Sequence, residues 1–350
     1  MIMDSKQKLI EAKTLRQFLT RLFKKAGMLQ SHALQVAEGL VATSLRGVDS
    51  HGIRLAPHYV KEVVAGRINP RPSFAFHKNA PGAGIVDADD SLGIPAGIFA
   101  IDQCMKLSKK TGIAAVAVKN SSHFGAAALY ALRAARKGYL AFAFTHTESL
   151  VVPFGAKRPV LGTNPICIAA PCAGEDPVCI DMSTTNVTWN KLQMLKAAKA
   201  TIPAGWALDK EGRVTTDYRA AEFLTPIAGY KGYGLGLMVE ILSGVLAGGK
   251  LGPELTPMSP INSKKRELGH FFMIIDIAAF DSLSRFKRRM KSLATLLRSQ
   301  RPAQGVRNVF VAGDPEKIMY RKRSKAGILV DASLIEEFNN LSKQFGIASI

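Results

Sequence analysis

Apolar residues recur at steps of three and four through residues 8–43, and this spacing predicts amphipathic helices. Leu9, Ile10, Leu15, Phe18, Leu19, Leu22 and Phe23 mark the first helix, which Gly27 ends. The second is expected from about Ser31, a residue type that caps helix N-termini, with Ala33, Val36, Ala37, Leu40 and Val41 on one face. Further helices are predicted over 55–65, closed by Gly66, and over 93–109, with Ile94, Ile98, Ile101 and Met105 facing inward. Helical patterns return in the alanine-rich 126–138, the glycine-rich 229–244, the basic 281–297 and the tail 334–345. Between them, short β-branched and aromatic runs predict strands at 85–89, 112–119, 140–145, 166–170, 178–182 and 270–277. One more is expected from Val309 into a turn at 313–316.

A chain of 350 residues can bury a large core in one or two domains. Hydrophobic residues make up 47% and the mean hydropathy is +0.08, which excludes a disordered chain. No apolar run reaches the roughly 18 residues of a membrane span. The first ten residues lack the apolar stretch of a secretory signal, so the expectation is cytoplasmic. Cys104, Cys167, Cys172 and Cys179 form no C-x-x-C pair, so free buried thiols are expected, with no metal site. The 47 basic and 27 acidic residues give a net charge of +20. The segment 264–325 alone holds 16 basic and 5 acidic residues. It carries no interleaved aromatics or nucleic-acid motif, so it reads as a solvated basic face. Polyanion or nucleic-acid binding is the alternative from a different functional class.

The polar hexapeptide Asn120-Ser-Ser-His-Phe-Gly125 falls between a predicted strand and a predicted helix. Ligand groups gather at such junctions in open α/β sheets. His123 there is either a proton carrier, since imidazole titrates near neutrality, or a loop histidine capped by hydroxyls. A second histidine, His51, lies in the comparable setting Asp49-Ser-His-Gly52. Arg54 suits a carboxylate, which guanidinium matches bidentately. Tyr59 stands five residues further on, too far to share a helix face with it, though both could flank one pocket. Asp87, Asp89 and Asp90 lack a matching ligand group at a defined offset and read as a turn and helix cap. The turn 183–186 offers hydroxyls and amides for a ribose or phosphate. Lys231 sits in a glycine-rich turn opening a helix, a place for an anion or for close helix packing. No G-x-G-x-x-G fingerprint follows a strand anywhere.

An ordered set of segments resembles the malate/L-lactate dehydrogenase type 2 family, which includes ureidoglycolate, sulfolactate and diketogulonate oxidoreductases. These are Asp-Ser-His-Gly-Ile-Arg (49–54), Asn-Ser-Ser-His-Phe-Gly (120–125), Val-Pro-Phe-Gly (152–155) and Gly-Thr-Asn-Pro (162–165). Asp-Met-Ser-Thr-Thr (181–185), Ile-Pro-Ala-Gly-Trp-Ala-Leu-Asp (202–209), Lys-Gly-Tyr-Gly-Leu (231–235) and Gly-Asp-Pro-Glu (313–316) complete it. The resemblance implies an α/β fold: a mixed sheet with flanking helices, a non-Rossmann dinucleotide-binding domain, and helical N- and C-terminal parts. It places residues 1–75, 76–127 and 285–350 in the substrate domain and 128–284 in the central NAD(P)-binding domain. It implies a homodimer that interconverts a 2-hydroxy acid and its 2-oxo acid with NAD or NADP, or else reduces a cyclic imino acid. By the same resemblance, His123 and His51 are the catalytic pair, and Ser50, Arg54 and Tyr59 hold the small carboxylate substrate. Thr147, Asp181, Met182, Ser183, Lys231, Gly313, Asp314 and Pro315 fall at cofactor positions. Trp189-Asn190-Lys191 departs from the family, which tends to place glycine before that lysine.

Overall fold

The computed structural model describes residues 7–350, and in it Leu9 and Ile10 stand apart from the first helix. They belong to strand β1 (Lys8–Ile10), paired antiparallel with residues 328–330. Helix α1 (Ala12–Lys25) follows and buries Leu15, Phe18, Leu19, Leu22 and Phe23 at the expected spacing. Helix α2 (Gln30–Leu45) begins one residue before Ser31; its N-cap is Leu29, so the expected serine cap is not made. Two 3-10 turns over 49–51 and 53–55 lead into α3 (Ala56–Val64), whose first turn holds a proline that needs no N–H partner.

Strands β2 (Ala75–Ala80) and β3 (Ala83–Ser91) form a hairpin, then come α4 (Gly93–Thr111), β4 (Ile113–Ser121), α5 (Ala128–Ala135) and β5 (Tyr139–Thr145). Asp87, Asp89 and Asp90 lie in β3 and do not cap α4, whose N-cap is Leu92. Asp87 binds Asn120 and Asp89 binds Asn69, which uses both carboxylates locally. Strands β6 (Ile166–Cys172) and β7 (Glu175–Met182) pair as a second hairpin. Helix α6 (Trp189–Ala197) and the short strands β8 (Ala207–Leu208), β9 (Val214–Thr215) and β10 (Phe223–Leu224) build an outlying lobe around Leu192, Ile202 and Leu224.

Helix α7 (Tyr230–Glu240) continues as a wider π-helical turn over 241–245. After the 250–267 loop, strand β11 (Leu268–Asp276) enters the centre of a seven-stranded sheet ordered β2-β3-β4-β11-β5-β6-β7. Only β3 and β4 run parallel, so the sheet is mixed, and it is continuous across the 127/128 boundary. Alternation along β4 divides its two faces: Val116 and Val118 join the large core with α4 and α5, while Ala117 joins Phe144, Phe271 and Val239 on the other side. Helix α8 (Leu283–Arg298) lies on the surface with only Ala294 buried. The strand expected at 309 is absent: residues 306–311 are irregular and run into α9 (Asp314–Ala326). Strand β12 (Ile328–Val330) and helix α10 (Ala332–Phe345) complete the chain. Among the described residues, no helix is long and apolar enough to cross a membrane.

Candidate active site

His123 stands two residues beyond β4, and the sheet centre fixes the loop that carries it. His270 of β11 bonds Ser121 Oγ through Nε2 (2.9 Å) and Thr145 Oγ1 through Nδ1 (2.7 Å). Its ring stacks on Phe124 with centroids 4.7 Å apart. The carbonyl of His123 accepts the Gly93 amide at 3.2 Å, tying the loop to the start of α4. Only glycine permits that approach, because a Cβ at residue 93 would lie 2.4 Å from Ser122 O.

His51 comes from the first 3-10 turn. Arg323 of α9 grips Asp49 through both Nη atoms, at 2.6 and 2.9 Å, and Ser44 Oγ accepts the Ile53 amide at 3.0 Å. A Cβ at Gly52 would sit 2.0 Å from Ser44 Oγ, so this turn also demands glycine. Ser50 Oγ lies 2.9 Å from His51 Nδ1. The His51 and His123 rings then stack, with centroids 5.6 Å apart and planes 29° from parallel.

Beneath His123, Tyr59 brings its Oη to 2.5 Å from Nδ1. Burial holds the Tyr59 phenol well above its usual range, and the charge of Glu62 adds to this. Tyr59 therefore remains a hydroxyl, which donates to Nδ1 when that atom is bare and accepts from it when it is protonated; the Gly125 amide also approaches Nδ1 at 3.4 Å. Nδ1 is engaged in this way, so Nε2 is the ring nitrogen left to exchange a proton with a ligand. Burial lowers His51 to about 4. It pushes His123 well below its ordinary value, helped by the neighbouring His51 and then Arg266. Both rings are neutral near pH 7.

These two rings line one cleft of about 2430 Å³ with Ser50 and Arg54. Arg54 is half exposed and paired with Asp331, the N-cap of α10. Along another wall run Thr147, Asp181, Met182 and Ser183, with Gly313 and Pro315. Thr147 Oγ1 accepts the Thr163 amide (3.2 Å), and Thr147 N donates to Asn164 Oδ1 (3.2 Å). Asn164 is held by buried Glu240, which also bonds His146. Asp181 accepts the Ala128 amide at the start of α5 at 2.8 Å. Three of the expected residues are not in the lining. Tyr59 lies behind His123, Asp314 is taken up by Arg298, and Lys231 is exposed on the first turn of α7.

The cleft also contains residues that the chain's local pattern did not mark: His58, Glu148 and Arg266. Arg266 belongs to the run Lys264-Lys265-Arg266, which reads as surface, yet its side chain is 1% exposed and bonded to Glu148 at 2.5 Å. Nothing local distinguishes it from its two lysine neighbours.

The family model for malate/L-lactate dehydrogenase matches residues 10–339. Malate dehydrogenase from Pyrococcus horikoshii is 34% identical over 343 residues, covering 95% of this chain and 94% of that protein. A solved structure of malate dehydrogenase from that organism matches with a TM-score of 0.90 over 99% of this chain and 98% of that one, at 32% identity. Ureidoglycolate dehydrogenase (NAD(+)) from Escherichia coli K12 is 33% identical over 319 residues, 91% of each chain. The structure of delta1-piperideine-2-carboxylate reductase from Pseudomonas syringae matches with a TM-score of 0.87 at 26% identity, over 95% of this chain and 99% of that one.

Proposed function

Because the chain belongs to the malate/L-lactate dehydrogenase family, we propose that it interconverts a 2-hydroxy acid and its 2-oxo acid by hydride transfer, using NAD or NADP. The observation that carries this reading is the stacked pair His51 and His123, set in one cleft beside Arg54.

The donor set suits a dinucleotide. The hydroxyls of Thr147 and Ser183 and the carboxylate of Asp181 share one wall, and the cleft is roomier than the roughly 300–1,000 Å³ of an ordinary small-ligand pocket. When bound, the nicotinamide supplies the hydride donor or acceptor. Thr147, Asp181, Met182, Ser183, Gly313 and Pro315 hold the cofactor, and Arg54 exchanges Asp331 for the substrate carboxylate. In reduction His123, protonated on both nitrogens, gives its Nε2 proton to the substrate oxygen and keeps the Nδ1 proton bonded to Tyr59 Oη; in oxidation the neutral ring takes a proton at bare Nε2. Tyr59 orients the ring from behind. On this reading residues 128–284 carry the cofactor and the flanking segments carry the substrate.

The enzyme works as a homodimer. Exposed Leu235, Leu237, Met238, Val245 and Leu246 give α7 and its π-helical turn an apolar face that a second copy would cover. Four free, buried cysteines suit a reducing cytoplasmic setting. The likeness to the piperideine-carboxylate reductase favours one second reading, reduction of a cyclic imino acid.

The test is oxidation of NADH or NADPH by the purified protein with a panel of 2-oxo acids and one cyclic imino acid. Turnover of 2-oxo acids supports the first reading, and turnover of the imino acid alone selects the second. No consumption of reduced cofactor across the panel defeats both.

A further inference from the structure

Arg266 leads into β11, whose first residue, Leu268, is in register with Ser121 beside the His123 loop. It lines the same cleft as His51 and His123. Its guanidinium is held at two points: Nε donates to Thr256 O at 3.3 Å and Nη2 to Glu148 Oε2 at 2.5 Å. Nη1 is buried and has no hydrogen-bond partner. An arginine N–H left unpaired away from water is costly, and native proteins rarely keep one without a use. His58, on the same cleft, has another buried nitrogen without a hydrogen bond, Nε2, which stands 3.5 Å from Glu62.

The surroundings hold the guanidinium in place while leaving room for a ligand to enter. Glu148 Oε1 accepts the Met258 amide at 3.0 Å, so one carboxylate ties Arg266 to the loop that covers it. Leu255 and Met258 of that loop line the cleft together with Arg266. Further out, Arg67 fastens the loop through the carbonyls of Pro257, Met258, Pro260 and Lys264.

We propose that Arg266 sets substrate specificity: its Nη1 binds an oxygen at the end of the substrate remote from C2. The cleft then selects 2-oxo acids that carry a second oxyanion, such as a C4 dicarboxylate, over pyruvate. This rests on the reading of the cleft as a 2-oxo acid site. Arg54 takes the carboxylate next to C2, and Arg266 takes the far one. Glu148 neutralises much of the Arg266 charge, so the distal group is recognised mainly by directed hydrogen bonding.

The probes are oxaloacetate and pyruvate, assayed with wild type, Arg266→Lys and Glu148→Gln. Wild type should favour oxaloacetate in kcat/KM by about tenfold or more. Arg266→Lys keeps a cation beside Glu148 but lacks Nη1. It should lose about tenfold more on oxaloacetate than on pyruvate, mainly through KM. Glu148→Gln removes the competing charge and should raise the oxaloacetate preference severalfold, which keeps the test open if the lysine variant does not fold. An equal loss on both substrates in Arg266→Lys, or an unchanged or lower preference in Glu148→Gln, overturns the inference. So does a wild type that prefers pyruvate. If wild type turns over neither substrate, the site reading itself fails and takes this inference with it.

Discussion

Tyr59 Oη lies 2.5 Å from His123 Nδ1, with Tyr59 buried in the large core and His123 on the cleft. The buried phenol cannot readily ionise, so it stays a hydroxyl, a donor to bare Nδ1 and an acceptor for Nδ1–H. Tyr59→Phe keeps the packing and removes that hydroxyl. We expect kcat to fall by about tenfold, in line with one lost hydrogen bond. The pH profile of kcat should shift, because Nδ1 loses the hydroxyl that bonds it in both protonation states. An unchanged pH profile of kcat would show that Tyr59 only fills space.

His123→Ala should reduce turnover by about 10²–10⁴-fold, the usual worth of a positioned acid–base group. NAD(P)H binding, followed by the fluorescence of the reduced cofactor, should change little, since the Thr147–Ser183 wall is untouched. If turnover survives, the proton role passes to His51.

Arg54 and Asp331 form an ion pair, which on the proposed reading the substrate carboxylate opens. Arg54→Lys loses the bidentate fork and should raise the KM for the 2-oxo acid by about tenfold or more, with a smaller fall in kcat. Asp331→Asn should lower that KM while α10 stays capped, because asparagine can still accept the Leu334 amide now taken by Asp331 Oδ1 (3.0 Å). Equal KM values in all three proteins would remove Arg54 from the substrate site.

Arg67 is fully buried, pairs with Glu62 at 3.2 Å and holds four loop carbonyls. Arg67→Met leaves Glu62 a buried charge without its arginine partner, with His58 beside it and Arg266 acting on it only through its field. The cost should be about 3–5 kcal/mol, measured by denaturant unfolding. A loss below about 1 kcal/mol would mean that the 250–267 loop is not anchored through this residue.

Burial depresses His51 to about 4 and His270 to about 3, and lowers His123 as well. Unfolded, each titrates near pH 6.5, so below that value the unfolded chain binds more protons than the folded one. This part of the stability is complete above about pH 6.5 and is lost as pH falls toward about 4. Thermal unfolding measured in steps across that range should show Tm dropping, and His270→Asn should flatten the slope. A level Tm between about pH 5 and 6.5 would contradict neutral, buried imidazoles.

Local sequence determined much of this protein. Helices α1 and α4 follow from their apolar spacing, and the polar islands at 49–54 and 120–125 mark His51 and His123 as the residues to watch. Both signals are short-range, since helix periodicity and turn chemistry are set within a few residues. Pairing over long separations was not legible in this way. Leu9 and Ile10 match a helical pattern, but their partner strand is some 320 residues away, and tertiary contact makes them a strand. The apolar stretch at 309 has no neighbouring strand to join and stays irregular. Arg67 and Arg266 show the same limit in the cleft. Each looks like surface charge in its own segment, and each is buried because loop carbonyls or a distant carboxylate converge on it. Which charges are buried depends on what the fold brings around them, so only the tertiary structure decided it.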